Sequence, residues 1–124
     1  MTAYAIGNLH PKPVLDEEVF TYMERIQGTL DPFGGHFLVH GATTREVPEG
    51  DWPGAVVIIG FPSYENARAW YDSAAYQALI PFRTRHMAGD VLLVEGVAPG
   101  YDPAATAAAM RAGSRGRAGG TAAA

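Results

Sequence analysis

The chain has no cysteine, which excludes disulfides, thiol nucleophiles and zinc sites built on thiolates. No uncharged apolar run approaches the roughly 20 residues that a bilayer-spanning helix needs, so no membrane partner is expected. The start, Met1-Thr-Ala-Tyr-Ala-Ile, lacks the basic n-region of a signal peptide and reads at once as strand. A cytoplasmic location is therefore the expectation. Absent too are a Gly-x-Ser-x-Gly elbow, a P-loop and a dinucleotide fingerprint, which disfavours serine hydrolases, NTPases and Rossmann enzymes. Positive charge is scarce outside the C-terminal end. Of nine basic residues, Arg111, Arg115 and Arg117 lie there, and the body up to Ala98 holds six basic against twelve acidic residues, a formal −6. An acidic body repels phosphate backbones, so no nucleic-acid partner is expected.

What is present suits one small core. A length of 124 residues, nearly half of them apolar, fits a single domain. Residues 3–10 (AYAIGNLH) read as a strand buried on both faces, ended by Pro11 and Pro13. Asp16-Glu-Glu18 sets acids where a helix dipole favours them, and Leu15, Val19, Tyr22, Met23, Ile26 and Leu30 follow at helical spacing. His36 to Val47 reads as a long strand, bent or bulged near Gly41. Residues 48–54 (PEGDWPG) are dense in turn formers and form a loop. Ala55 to Phe61 is a continuous apolar strand. Ser63 then caps a helix presenting Ala67, Trp70, Tyr71 and Ala74 on one side. Ala75 to Met87 is helical, with a break or a new first turn expected at Pro81, Gly89 is the expected stop, and Val91 to Val97 is the last strand. The order is β-α-β-β-α-β: an α+β, ferredoxin-like sandwich with a four-stranded antiparallel sheet over residues 1–98. Residues 99–124 form an Ala/Gly/Arg-rich tail, expected to be largely disordered, with at most a transient helix over Ala104 to Met110.

Several blocks carry a resemblance: AYAIGNL at the start, GGHFLVHGA, the long run EGDWPGAVVIIGFPSYENARAWYDSAAYQALIPFR, and LLVEGV at the end. In order and spacing over residues 2–98 they closely resemble domain of unknown function family 1330. The resemblance implies the dimeric α/β-barrel superfamily, in which two ferredoxin-like sheets face each other with helices outside. A homodimer is thus implied. Relatives there include cofactor-free monooxygenases of polyketide pathways, lactone isomerases, haem-dependent enzymes and stress proteins, so a reaction is implied only loosely. The family pattern carries an arginine where this chain has His40, and an acid where it has Gly60.

Against apolar strands, the polar residues stand out. Tyr4, Ile6, Asn8 and His10 share one strand face, and by the same period His36, Leu38 and His40 share another. Histidine is the residue type suited to acid–base work near neutrality. His40, mid-strand, is the strongest such candidate; His36 begins its strand and His10 reads as exposed. His36 and His40 would lie about 13 Å apart, too far to share one metal ion, and no metal site is expected. Arg83 and His86 would be i, i+3 neighbours able to address one ligand, with Arg83 holding a carboxylate or enolate oxygen. Trp52, Trp70, Tyr71 and Tyr76 are aromatics in a region expected to cover the sheet; Trp70 reads as core, while Trp52 and Tyr71 are candidates for lining a pocket.

The leading expectation is a small cofactor-independent enzyme acting on an apolar, aromatic or polyketide-like small molecule, by proton transfer that drives cyclisation or isomerisation, or by oxygenation. His40, His86 and Arg83 would be catalytic, and Asn8, Trp52, Tyr71 and His36 would bind substrate. The alternative is a non-catalytic dimer that binds a ligand or partner protein; haem-linked chemistry through one histidine is a third reading. A cavity of several hundred cubic ångströms lined by His and Arg would favour the enzyme.

Overall fold

The computed structural model describes residues 1–116. Four strands, β1 (Ala3–His10), β2 (His36–His40), β3 (Ala55–Phe61) and β4 (Ala88–Glu95), form one antiparallel sheet in the order β2-β3-β1-β4. Helices α1 (Glu17–Leu30), α2 (Tyr64–Asp72) and α3 (Ala74–Thr84) cover one face, and α4 (Pro103–Gly116) follows the sheet. This is the ferredoxin-like plan. Among the described residues, no helix is long and apolar enough to cross a membrane.

The helices start where side chains relieve unpaired amides. Asp16 accepts from the Glu18 amide at the head of α1, and Ser63 from the Asn66 amide at the head of α2. Ser73 accepts from the Tyr76 amide and so opens α3. The split between the two helical segments falls at Ser73, within two residues of the expected boundary before Ala75, but the further break expected at Pro81 does not occur. Pro81 lies inside α3, which runs on through it. Because α2 ends at Asp72, Ala74 is exposed at the start of α3 and does not join Ala67 and Trp70 in the core.

The core lies between sheet and helices. Ala3, Ala5, Ile59 and Phe61 meet Ile26 and Leu30 of α1, Ala67 and Trp70 of α2, and Tyr76 and Leu79 of α3. Trp70 anchors it, with ring centroids 4.0 Å from Tyr76 and 5.4 Å from Phe61, and its indole N–H donates to Thr29 Oγ1 at 3.0 Å.

Strand β2 differs most from expectation. It ends at His40, because Gly41 turns with φ of 55° and residues 41–54 run as an extended loop. A bulge lies between Phe37 and Val39: Phe37 pairs with Ile59, but Val39 pairs with Ile58 and His40 with Val57. The extra residue reverses the alternation of faces. His36 therefore stays with Gly60 on the open face, while His40 turns with Phe37 to the helix face, and the two histidines do not share a side. Strand β4 begins at Ala88, so Gly89 lies within the strand instead of stopping the helix.

The face away from the helices is apolar. One row across the sheet runs Val39, Ile58, Ile6, Leu92. On one side of it Tyr4 lies between Gly60 and Val94, and on the other Asn8 lies between Val56 and Asp90. Leu92 is 53% exposed and Leu38 51%. The Asn8 side chain rests on Gly54, where an added Cβ would fall almost on its oxygen, and Asn8 Oδ1 is buried without a hydrogen-bond partner among the described residues.

The Ala-rich stretch expected to form at most a transient helix over Ala104–Met110 is helical over Pro103–Gly116. Its side chains through Ser114 are exposed apart from Thr106. The remainder of the expected disordered tail, 117–124, lies outside the described residues. Removing everything after Gly100 is expected to leave melting temperature and oligomeric state unchanged, since α4 buries too little to offset backbone ordering of roughly 1–2 kcal/mol per residue. A fall of more than a few degrees would show that α4 packs.

Candidate functional site

A cleft opens between the helix face of the sheet and helices α1 and α3. Its outer part, about 280 Å³, is walled by Leu9, Tyr22, Met23, Val57, Arg83 and Met87, with His40 at the edge. An inner recess of about 50 Å³ continues past Tyr22, His40 and Arg83 to Tyr76 and Trp70. Each wall follows from the sequence pattern. The α1 stripe supplies Tyr22 and Met23, alternation in β1 and β3 supplies Leu9 and Val57, and the bulge supplies His40. The His40 ring lies 5.0 Å from that of Phe37, tilted by 30°.

Arg83 is the unusual member. It is only 6% exposed, and among the described residues no carboxylate lies within ion-pair distance of it. Its guanidinium carbon sits 5.6 Å from the centre of the Tyr22 ring, a cation–π contact. The Tyr22 and Tyr76 hydroxyls are hydrogen-bonded to each other at 2.7 Å. Burial, followed by the nearness of Tyr22, pushes the Tyr76 phenol far above its ordinary range, so it stays a neutral O–H. Burial by itself would lower the Arg83 pKa, but Tyr22 and Tyr76 outweigh it and the net shift is upward. The guanidinium is therefore a permanent cation in an apolar recess. Burying an ion without a partner costs several kcal/mol, and such a charge is suited to stabilising negative charge on a bound molecule.

His86 lies elsewhere. Beyond the end of α3 the chain tightens, with the His86 and Met87 amides both bonding the Arg83 carbonyl. This turn aims Arg85 and His86 outward to the start of α1. His86 Nε2 is 2.8 Å from Glu18 Oε1 and 3.4 Å from Asp16 Oδ1, and Arg85 donates to Glu18 at 2.9 Å. Arg83 and His86 thus do not address one ligand. Asp16, Glu18 and His86 do converge as three donors of the type that bind metal. However, Asp16 is already the helix cap and Glu18 is shared with Arg85, and the cluster reads as a clasp between α1 and α3.

That clasp has a pH signature. Hydrogen bonding to His86, then to Arg85, holds Glu18 below its ordinary value of 4.5. A depressed carboxylate contributes stability that is present above its unfolded pKa and lost as pH falls through the lower folded one. Glu18→Gln is expected to flatten part of the decline in melting temperature below about pH 4.5, and Asp72, which Arg68 holds low in the same way, contributes another part. An unchanged acid slope in the variant would contradict this.

The other residues singled out from sequence are placed apart from the cleft. Asn8 and His36 are on the open face. Trp52 is 45% exposed in the 41–54 loop, held by Arg45, which donates to the Gly54 and Trp52 carbonyls at 2.7 and 2.9 Å. Tyr71 is half-buried against Trp70 and Tyr76, with Arg68 over its ring. The structure thus brings together His40 and Arg83. It adds Tyr22, which the sequence shows only as one member of an apolar stripe, and Tyr76, which it shows only as an aromatic near the sheet. The available signal was that a buried tyrosine needs a partner for its hydroxyl; which tyrosines meet across the core was not in the spacing.

Residues 2–97 match a family described as domain of unknown function DUF1330. The chain belongs to that family. No curated protein gives a significant match. Among solved structures, the RPA0582 protein of unknown function from Rhodopseudomonas palustris is similar at 14% identity and a TM-score of 0.58, over 79% of this chain and 84% of that one. A dimeric ferredoxin-like protein of unknown function from Jannaschia is similar at 12% identity and a TM-score of 0.51, over 77% and 100%. SnoaB, a cofactor-independent oxygenase from Streptomyces nogalater, has 14% identity and a TM-score of 0.47, over 82% and 96%. At these identities the likeness extends to the fold alone, and the DUF1330 residues that line the cleft are read from their own geometry.

Proposed function

We propose that this chain is a cofactor-independent enzyme, working as a homodimer, that acts on an apolar, aromatic or polyketide-like small molecule by proton transfer or oxygenation. The observation that carries this reading is the buried, carboxylate-free Arg83 in an apolar cleft edged by His40. A ketone held with its oxygen toward Arg83 would become more acidic at the adjacent carbon, because the guanidinium stabilises the enolate. His40, at the mouth, is the base that takes the proton, and Tyr76 is a neutral donor to the same oxygen. Where the enolate is conjugated to a C=C bond, returning the proton from His40 to the γ-carbon gives isomerisation; attack of the enolate carbon on a second carbonyl, with the proton returned from His40 to the new alkoxide, gives cyclisation. His86 has no chemical role in this proposal. A second reading, a non-catalytic ligand-binding dimer, is favoured by the small size of the inner recess.

Deuterium exchange at the α-carbon of a panel of aromatic ketones, followed by NMR in heavy water, tests the reading without knowledge of the natural substrate. The wild-type chain is expected to accelerate exchange of at least one member. His40→Ala should remove the acceleration with little loss of stability, and Arg83→Met should weaken binding as well. Exchange equal in His40→Ala and wild type would remove His40 as the base. No acceleration of any ketone, with binding retained, would leave the non-catalytic reading.

A further inference from the structure

The polar groups of the cleft are unbalanced in one direction. A guanidinium carries only donors. The two phenols bring one proton each; one proton is taken by the bond between Tyr22 and Tyr76, and the other is left over. Among the described residues the acceptors within the Arg83–Tyr22–Tyr76 cluster are the two phenol oxygens, and the imidazole of His40 at the cleft edge offers one acceptor nitrogen when neutral but no negative charge. The walls around it, Leu9, Met23, Ile26, Val57 and Val91, supply none from their side chains. Among the described residues the cation has no carboxylate within ion-pair distance; the nearby acid Glu18 is held outside the cleft by Arg85 and His86. Nor does the sheet's open face bear on the matter, since Arg83 lies on the helix side. The missing acceptors and the missing negative charge must therefore come with the ligand.

From this we infer that the cleft selects its ligand as a planar two-oxygen anion on an apolar body: a carboxylate, or the enolate of a β-dicarbonyl. The inference rests on the cleft being the ligand site, as proposed above, but not on catalysis there. Two oxygens are specified because the guanidinium fork offers parallel N–H groups that match such a pair, and a single-oxygen acceptor leaves one of them unpaired. An apolar body is specified because the side chains beyond Arg83, the phenols and the edge imidazole of His40 are hydrocarbon, sulfur or aromatic ring. Tyr22 lines both the recess and the outer cleft, and the Arg83 guanidinium lies over its ring.

The test uses the full chain and three bicyclic probes of one shape: 2-naphthoate, 2-naphthamide and 2-naphthalenemethanol, titrated by calorimetry at neutral pH. In the wild type the acid is expected to bind at least tenfold more tightly than either neutral probe. Arg83→Met should abolish that preference while keeping the far-UV circular dichroism and melting profile of a folded chain, and Arg83→Lys should restore part of it. Benzoylacetone provides the enolate arm: bound to the wild type it should show the enolate absorbance at a pH where the free molecule is neutral, and bound to Arg83→Met it should not. If Arg83→Met fails to fold, the comparison of acid with amide in the wild type decides. Equal or tighter binding of the amide, or a preference for the acid that persists in a folded Arg83→Met, overturns the inference. Binding of none of the probes overturns both it and the assignment of the cleft. An acid preference without any ketone exchange sustains the inference and removes only the catalytic reading.

Discussion

Replacing Ile58 with glutamate is expected to turn a dimer into a monomer without unfolding it. Ile58 sits in the middle of the apolar row on the open face, flanked by Val39 and Ile6. In a free protomer a glutamate there meets water on one side and costs little. In a dimer closed through this face the carboxylate would be buried with no counter-ion, a penalty of about 3–5 kcal/mol by analogy with a broken buried pair. Two-fold symmetry imposes it twice, because the same patch is used by both copies. A loss of that size weakens association by several orders of magnitude. Sedimentation at micromolar concentration should show a dimer for the wild type and a monomer for Ile58→Glu, with near-equal melting temperatures once dissociation is accounted for. A wild-type monomer, or a variant that remains dimeric, would mean that this face is not where copies meet.

The largest effect on folding is expected at Trp70. It is 1% exposed and touches Phe61, Tyr71 and Tyr76, and its N–H satisfies Thr29. Trp70→Ala removes that payload, leaves a cavity beside the inner recess, and deletes a hydrogen bond from a residue that ties α2 to α1. Such changes cost about 3–5 kcal/mol, a large part of the roughly 5–15 kcal/mol available to a small domain. With about 4–8 °C lost per kcal/mol for a domain of this size, the melting temperature should fall by well over ten degrees. Trp70→Phe, which keeps a ring but not the N–H, should fall between the two. A shift of only a degree or two in Trp70→Ala would show that the recess already holds enough slack to make the indole dispensable.

The elements themselves were largely legible because their signals are local. The α1 stripe, the Ser63 cap and the run Ala55–Phe61 each depend on neighbours within a few residues, and Trp70 as core followed from helical spacing. Family likeness in the quoted blocks fixed the architecture further. The misreadings arose where non-local contacts decide. Pro81 looked like a break, yet α3 runs on through it. A bend or bulge was expected near Gly41, where the chain does turn, but the bulge lies between Phe37 and Val39, since strand register depends on which partner carbonyls are available. One inserted residue then sent His40 to the opposite face from His36, and that shift is what brings His40 to the cleft. Arg83 was recognised as a possible anion binder, but its neighbours were not. Tyr22 and Tyr76 are 54 residues apart in sequence, and nothing in either segment specifies that their hydroxyls meet.

The most direct measurement is a crystal structure of the wild-type chain grown with 2-naphthoate. The account predicts the naphthyl ring in the cleft against Tyr22 and Val57, its carboxylate paired with the Arg83 guanidinium and within reach of the Tyr22–Tyr76 pair, and His40 at the open end. A structure with Arg83 paired to a carboxylate of the protein, or with the probe bound only away from the cleft, would contradict it.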